Sequence, residues 1–225
     1  MLSTEYATKY PQRLPTPARF EPLGYPDWAR AASQQISTLD ALVRHVTPRL
    51  DPLPHWLPEG DDRGRPAAVI VPLIEIDGEP GILFIRRSWR IRRHRGEVAF
   101  PGGGVETGET YVQAALRECE EEVQVPSDRL NLIGALGLAQ TFASGSTFYR
   151  ILAQLDDHTV AGPSEEVDEL LPVRLSTLLD ESCLHVERWD FSNGRTSEMY
   201  FFELENDLLW GASARMIADL CRLFV

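Results

Sequence analysis

The stretch GGVETGETYVQAALRECEEEVQV, residues 103 to 125, decides how the rest of the chain is read. Its second half has helical spacing. Val112, Ala115, Leu116, Cys119 and Val123 fall within about one third of a helix surface, at roughly 100° per residue. Glu118 and Glu122 stand one turn apart on another face. Glu121 lies about 60° further round, and Glu120 falls on the opposite flank. Three carboxylates are therefore expected to converge, and one is not.

Like charges at this spacing destabilise a helix, so something must offset the repulsion. A hard divalent cation does so, because Mg²⁺ favours carboxylate oxygens and shares its shell with water and phosphate. An acidic run by itself also describes a solvated face. Here Gly102-Gly103 precedes the helix, Thr110 and Gln113 suit a capping box, and Arg117 sits four residues before Glu121. That context favours a built site. The stretch resembles the Nudix hydrolase box, G-x5-E-x7-R-E-U-x-E-E-x-G-U, with U a bulky apolar residue. Gly103, Glu109, Arg117, Glu118, Cys119, Glu121, Glu122 and Val125 meet it. The box's second Gly is here Gln124, at the helix end where a left-handed residue is often needed.

Before the box the chain crowds Arg86, Arg87, Arg90, Arg92, Arg93 and Arg95, with His94 among them. The whole chain of 225 residues carries a formal net charge of −12, so local positive charge stands out as an anion site. Some of these arginines are also expected to neutralise the nearby glutamates. The segment LFIRRSWRIRRHRGEVAFPGG, residues 83 to 103, is similar to the signature of the coenzyme A pyrophosphatase branch of that family. Leu83, Arg87, Ser88, Arg92, Gly96, Phe100, Pro101, Gly102 and Gly103 fall on it in register, while Phe84 and Ile85 depart from it. The stretch Glu166 to Glu169 with Pro172, Val173 and Leu175, and Trp210-Gly211, are similar to that branch too.

The composition narrows the alternatives. The acidic balance disfavours nucleic acid and anionic membrane as partners. No apolar run is long enough to span a membrane, and the first residues lack the apolar core of a signal peptide. Cys119, Cys183 and Cys221 have neither metal nor disulfide spacing and read as reduced core residues of a cytoplasmic protein. A homodimer is a possible assembly.

Along the chain, residues 1 to 26 read as irregular and Asp27 to Val46 as one helix. Residues 47 to 66 read as a Pro-rich wrapping loop carrying Trp56, a packing anchor or a stacking platform. These 66 residues are taken as an N-terminal extension, and residues 67–225 as the Nudix domain. Strands are expected at Ala67–Ile76, Ile82–Arg86, Glu97–Phe100, Leu130–Gln140, Phe148–Leu155 and Val167–Val173. Asp77 to Pro80 and Ser144-Gly145-Ser146 are read as turns. A hairpin follows from Cys183–Phe191 and Met199–Leu204, then a closing helix at Ala212–Leu223. The pattern fits an α+β fold, a mixed sheet between helices, which is the α/β/α sandwich that the resemblance implies.

The resemblance implies hydrolysis of the diphosphate of coenzyme A or its thioesters, giving 3′,5′-ADP and 4′-phosphopantetheine or its acylated form. It implies Mg²⁺ or Mn²⁺ held by Glu118, Glu121 and Glu122, with the Gly103 carbonyl. Glu121, Glu122 and Glu166 are the catalytic candidates; Glu165 stands beside the last. Arg87, Arg92, Gly102 and Gly103 are the candidate substrate contacts. Glu109 is expected to order the loop against the helix. The alternatives are a Nudix enzyme for ADP-ribose, a dinucleotide or a nucleoside triphosphate, and a Nudix-shaped module that senses a nucleotide without cleaving it. The scattered His45, His55, His94, His158 and His185 suggest no triad.

Overall fold

The computed structural model describes residues 9–12, 14–58, 65–92, 94–140, 147–156 and 161–225. In chain order the strands are β1 (Arg19–Leu23), β2 (Ala67–Ile76), β3 (Glu79–Arg87), β4 (Val98–Ala99), β5 (Gly102–Gly104), β6 (Leu130–Gln140), β7 (Thr147–Leu155), β8 (Val167–Arg174), β9 (Leu184–Asp190), β10 (Thr196–Glu203) and β11 (Leu208–Leu209). The helices are α1 (Asp27–Gln35), α2 (Leu39–Val46), α3 (Tyr111–Val123), α4 (Leu175–Leu178) and α5 (Gly211–Arg222).

The β-branched run of β2 is buried on both faces along most of its length. Such a strand must lie inside a sheet covered on both sides. It does, in the order β4-β3-β2-β7-β6, with β5 also on β2 and β8 on β3. β2 runs parallel to β7 and antiparallel to β3 and β5, so the sheet is mixed. Ala68, Ile70 and Ile74 pack with the apolar stripe of α3 on one side. Val71 and Leu73 pack on the other side with residues of α1, α2 and α5. A second, four-stranded sheet, β1-β9-β10-β11, shares that second core. The mixed sheet between helices is thus observed.

Three readings change. Asp27 to Val46 is two helices, because the chain is extended at Ile36 and at Thr38. The Thr38 hydroxyl accepts the Ala41 N–H at 3.1 Å and starts α2. The first 26 residues include β1, an edge strand on β9. Only Phe20 and Leu23 are half-buried in it, so it shows no strong alternation, and an edge tolerates Pro22. β3 begins at Glu79 rather than Ile82. The turn before it is only Asp77-Gly78, both at positive φ, as a two-residue hairpin requires. Ser144-Gly145-Ser146, Gly60, Asp61, Asp62, Gly64, Arg93 and His158 lie outside the described residues. The three cysteines are buried and free, and burial pushes each thiol up to about 12.

Helix α3 is fixed at both ends. The Thr110 hydroxyl accepts from Gln113 N, and the Gln113 side chain accepts from Thr110 N at 2.9 Å. Gln124 takes the left-handed conformation itself, at φ 57°. Its amide donates to Pro163 O at 2.9 Å, which ties this ending to the segment before β8. The capping box generates a first prediction. Thr110→Ala removes an acceptor from the first turn and should lower stability by about 1 kcal/mol in thermal or urea unfolding. An unchanged midpoint would mean that packing alone holds the helix start.

Candidate active site

Helix α3 delivers its acids to two different environments. Glu122 is 4% exposed, turned against the ends of β3 and β5. Arg87 Nη1 donates to its Oε1 at 2.9 Å, and the Gly102 N–H donates to its Oε2 at 2.9 Å. Burial outweighs these donors and pushes the Glu122 carboxyl up to about 7. Glu121 is open to solvent, and Glu118 lies between these extremes. Glu120 is exposed on the other flank. Glu118 and Glu121 share Arg117, whereas Glu122 is buried beside the apolar residues of the helix and meets Arg87 and the Gly102 N–H. Among the described residues, no three acid, His or Cys side chains already stand around one point as a metal cage.

Arginines are what offset the repulsion here. Arg117 donates to Glu109 at 2.8 and 3.1 Å, to Glu118 at 3.0 Å, to Glu121 at 3.1 Å and to the Gly104 carbonyl at 3.0 Å. Glu109 also accepts the Glu106 N–H at 2.9 Å, so it orders the loop against the helix. The Arg117 guanidinium holds its carboxyl below the ordinary carboxylate range.

Gly103 meets Glu118 directly. A Cβ built on Gly103 would stand 2.6 Å from Glu118 Oε2, so only glycine lets the backbone approach the carboxylate so closely. Hard oxygen donors beside an open backbone suit a divalent cation of the Mg²⁺ type. The donor set therefore fits the metal that the box implies. Arg65, left in the linker by the sequence pattern, also packs here: a Cβ on Gly104 would stand 2.6 Å from its Nε.

The five described arginines of the segment separate. Arg87 is at the carboxylates, with Glu166 Oε2 at 4.0 Å. Arg86, on the other face of β3, donates to Asp207 at 2.7 Å and pairs with Glu169, so it is structural. Arg90, Arg92 and Arg95 are exposed on the loop from 88 to 96. Ser88 is fully buried at the root of this loop, its N–H donating to Glu166 O at 2.8 Å. Asp168 accepts the Trp89 N–H at 3.0 Å, and the Ser88 hydroxyl helps hold its carboxyl below the ordinary range. The sequence pattern includes Ser88 and Asp168 but does not show that they fix this loop. Glu165 is exposed. Trp56 packs edge-on to Tyr149 with ring centroids 5.7 Å apart.

This geometry generates two predictions. Gly103→Ala should displace the Glu118 carboxylate and lower kcat by about 100-fold, the cost of a misplacement near 1 Å, with the fold retained by circular dichroism. Glu120→Gln should leave turnover unchanged; equal losses in the two variants would refute the assignment of helix faces. The second concerns pH without metal. Below about 4.5, Glu122 carries its proton folded or unfolded, and its contribution is fully present. As pH rises to about 7 the unfolded chain ionises first, so this contribution is lost, on the order of 3 kcal/mol in all. Metal-free wild type should lose stability across that window relative to Glu122→Gln. Parallel profiles of Tm against pH would show that Glu122 ionises normally.

A family model described as the NUDIX domain matches residues 64–193. The chain is 33% identical to an uncharacterized Nudix hydrolase NudL of Photorhabdus laumondii over 189 residues, covering 82% of this chain and 97% of that protein. It is also 33% identical to the NudL of Yersinia enterocolitica over 161 residues, 69% of this chain and 80% of that one. Among solved structures, the binary complex of a C. elegans Ap4A hydrolase matches 48% of this chain and 79% of its own, at 22% identity and a TM-score of 0.42. With Glu118, Glu121 and Glu122 of the box on a capped helix and Glu109 in the loop before it, and with relatives of this identity and coverage, the chain belongs to the NUDIX domain family and is a pyrophosphohydrolase of that family.

Proposed function

We propose that the enzyme cleaves the diphosphate of coenzyme A or one of its thioesters, giving 3′,5′-ADP and 4′-phosphopantetheine or its acylated form. One observation carries the reading furthest. The two stretches that resemble the coenzyme A branch, residues 83 to 103 and 166 to 175, lie against each other. Glu166, Asp168 and Glu169 meet Ser88, Trp89 and Arg86 in turn. Their contacts fix the root of the arginine loop beside Glu122 and leave Arg92 and Arg95 without an ion pair to any described residue. A substrate with only a diphosphate needs less positive charge than this. A third phosphate, as on the 3′ position of coenzyme A, gives the exposed arginines a partner.

In this reading Glu118 and Glu122 hold Mg²⁺ or Mn²⁺, with Glu121 and the Gly103 carbonyl beside them. Bound there, the cation would supply charge neutralisation at the diphosphate oxygens. Arg87 lies between Glu122 and Glu166, where it meets a phosphate oxygen entering the site. Gly102 and Gly103 line the approach without side chains. The base that takes the proton of the attacking water is Glu166 or Glu121, the two exposed carboxylates of the set.

The experiment compares kcat/KM for coenzyme A, dephospho-coenzyme A and ADP-ribose with Mg²⁺ or Mn²⁺ present. The 3′-phosphate should contribute roughly 10- to 150-fold, the value of a charge-assisted contact. Equal values for the first two substrates would remove the 3′-phosphate argument. A clear preference for ADP-ribose would replace coenzyme A as the substrate, and full activity in excess EDTA would remove the metal.

A further inference from the structure

Behind the arginine loop, on the Arg86 face of β3, is a cavity of about 210 Å³ lined by Pro11, Gln12, Arg86, Trp89, Gly96, Asn206 and Asp207. It is smaller than the roughly 300–1,000 Å³ that encloses a whole drug-sized ligand, so it suits one ring system. Gln12 is 5% exposed, and its Nε2 donates to the Gly96 carbonyl at 3.0 Å. That bond fixes the amide orientation, because a flipped amide would set two oxygens against each other. Gln12 Oε1 is then buried with no hydrogen-bond partner among the described residues. A buried acceptor without a donor is costly and asks for an N–H.

The other walls narrow the ligand further. Arg86 is already held by Asp207 and Glu169, so this wall offers no spare charge to a phosphate. Trp89 is 42% exposed and packs on Gly96, where a Cβ would stand 2.5 Å from the indole Cε2. Gly96 at φ 70° is thus what allows the ring to lie there, with area left for a flat partner. The exposed Asn206 side chain adds a donor and an acceptor at the rim. The cavity and the carboxylates lie on opposite faces of β3, joined through the Gly96–Arg87 backbone. The Gly96 N–H donates to Arg87 O at 2.9 Å, and Arg87 reaches Glu122.

We infer that this cavity is a nucleobase subsite, in which Trp89 stacks on adenine and Gln12 Oε1 accepts a hydrogen from its exocyclic amine. The inference rests on the substrate being an adenine nucleotide joined through a diphosphate. The N-terminal segment thereby contributes to substrate recognition. Lys9 is held by Glu203 at 2.6 Å, and three residues later Gln12 completes the subsite.

The test replaces the amine by a carbonyl oxygen. kcat/KM is measured for coenzyme A against its hypoxanthine analogue, and for ADP-ribose against its own. Wild type should favour adenine by about 10- to 100-fold within each pair, because hypoxanthine sets an oxygen against Gln12 Oε1. Gln12→Ala should bring both ratios close to one, and Trp89→Ala should raise KM for both bases more than it lowers kcat. Because each ratio is taken within a pair, a preference for ADP-ribose over coenzyme A would sink the coenzyme A reading and leave the base test intact. Binding of AMP against IMP to wild type by equilibrium dialysis reads the same preference without turnover or any variant. Equal treatment of the two bases by wild type would overturn the subsite.

Discussion

The arrangement depends on keeping a carboxylate where water cannot hold it. Glu122 is almost fully buried, and its charge is disfavoured there unless donors are brought to both oxygens. Arg87 and the Gly102 N–H are those donors, and each requires its own element. Arg87 must leave the end of β3 toward α3, and the pairing of β3 with β8 shifts register between Arg86 and Arg87 at that point. The extra residue there is Asp168 of β8, so Arg87 keeps the plain alternation of β3. Gly102 must present its N–H from the start of β5, which pairs with β2. One acid therefore locks a helix, a strand end and a glycine loop together. Glu118 and Glu121, nearer to solvent, share Arg117 and need no such enclosure.

The helix that carries this acid was legible because its signals are local. The apolar stripe and the capping pair lie within about a dozen residues, and both appear in α3 as read. The separation of Arg86 from Arg87 has a local signal too, in the alternation of β3. Leu83 and Ile85 pack toward α3, while Ile82 and Phe84 pack toward the other core. Side chains alternate along a strand, so Arg87 follows Leu83 and Ile85, and Arg86 follows Phe84. What could not be read is what long-range contact decides. Gln12 meets Gly96 across 84 residues, and no period or motif links them. β1 is a strand because β9 offers an edge, not because its own residues alternate. The break at Thr38 left a local sign, a hydroxyl three residues before Ala41, but the continuous apolar stripe outweighed it.

The departure at Gln124 shows how local and distant chemistry combine. A glycine there would reach the left-handed conformation without strain. Gln124 reaches it anyway, and its side chain gains the Pro163 carbonyl. The Gly162 N–H meanwhile donates to Val123 O at 2.9 Å, satisfying a carbonyl that the helix end leaves open. Gln124 thus links the end of α3 to the segment that leads to Glu166 beside Arg87. A plain glycine ending would lack the side-chain half of that link.

The pairing of residues 86 to 89 with 166 to 169 then explains why so acidic a chain concentrates arginines in one loop. At the root, four successive residues are committed. Ser88 meets Glu166, Trp89 meets Asp168, Arg86 meets Glu169 and Arg87 meets Glu122. The bonds at the Ser88 and Trp89 N–H groups fix backbone positions, and the Arg86 and Arg87 side chains are tied to carboxylates. Arg92 and Arg95, further out, are exposed with no ion pair to a described residue, so their charge is not spent on the protein itself. Exposed guanidinium groups on long side chains are weak determinants of stability. Set beside the carboxylates of α3 in a chain of net charge −12, they are a local concentration of positive charge.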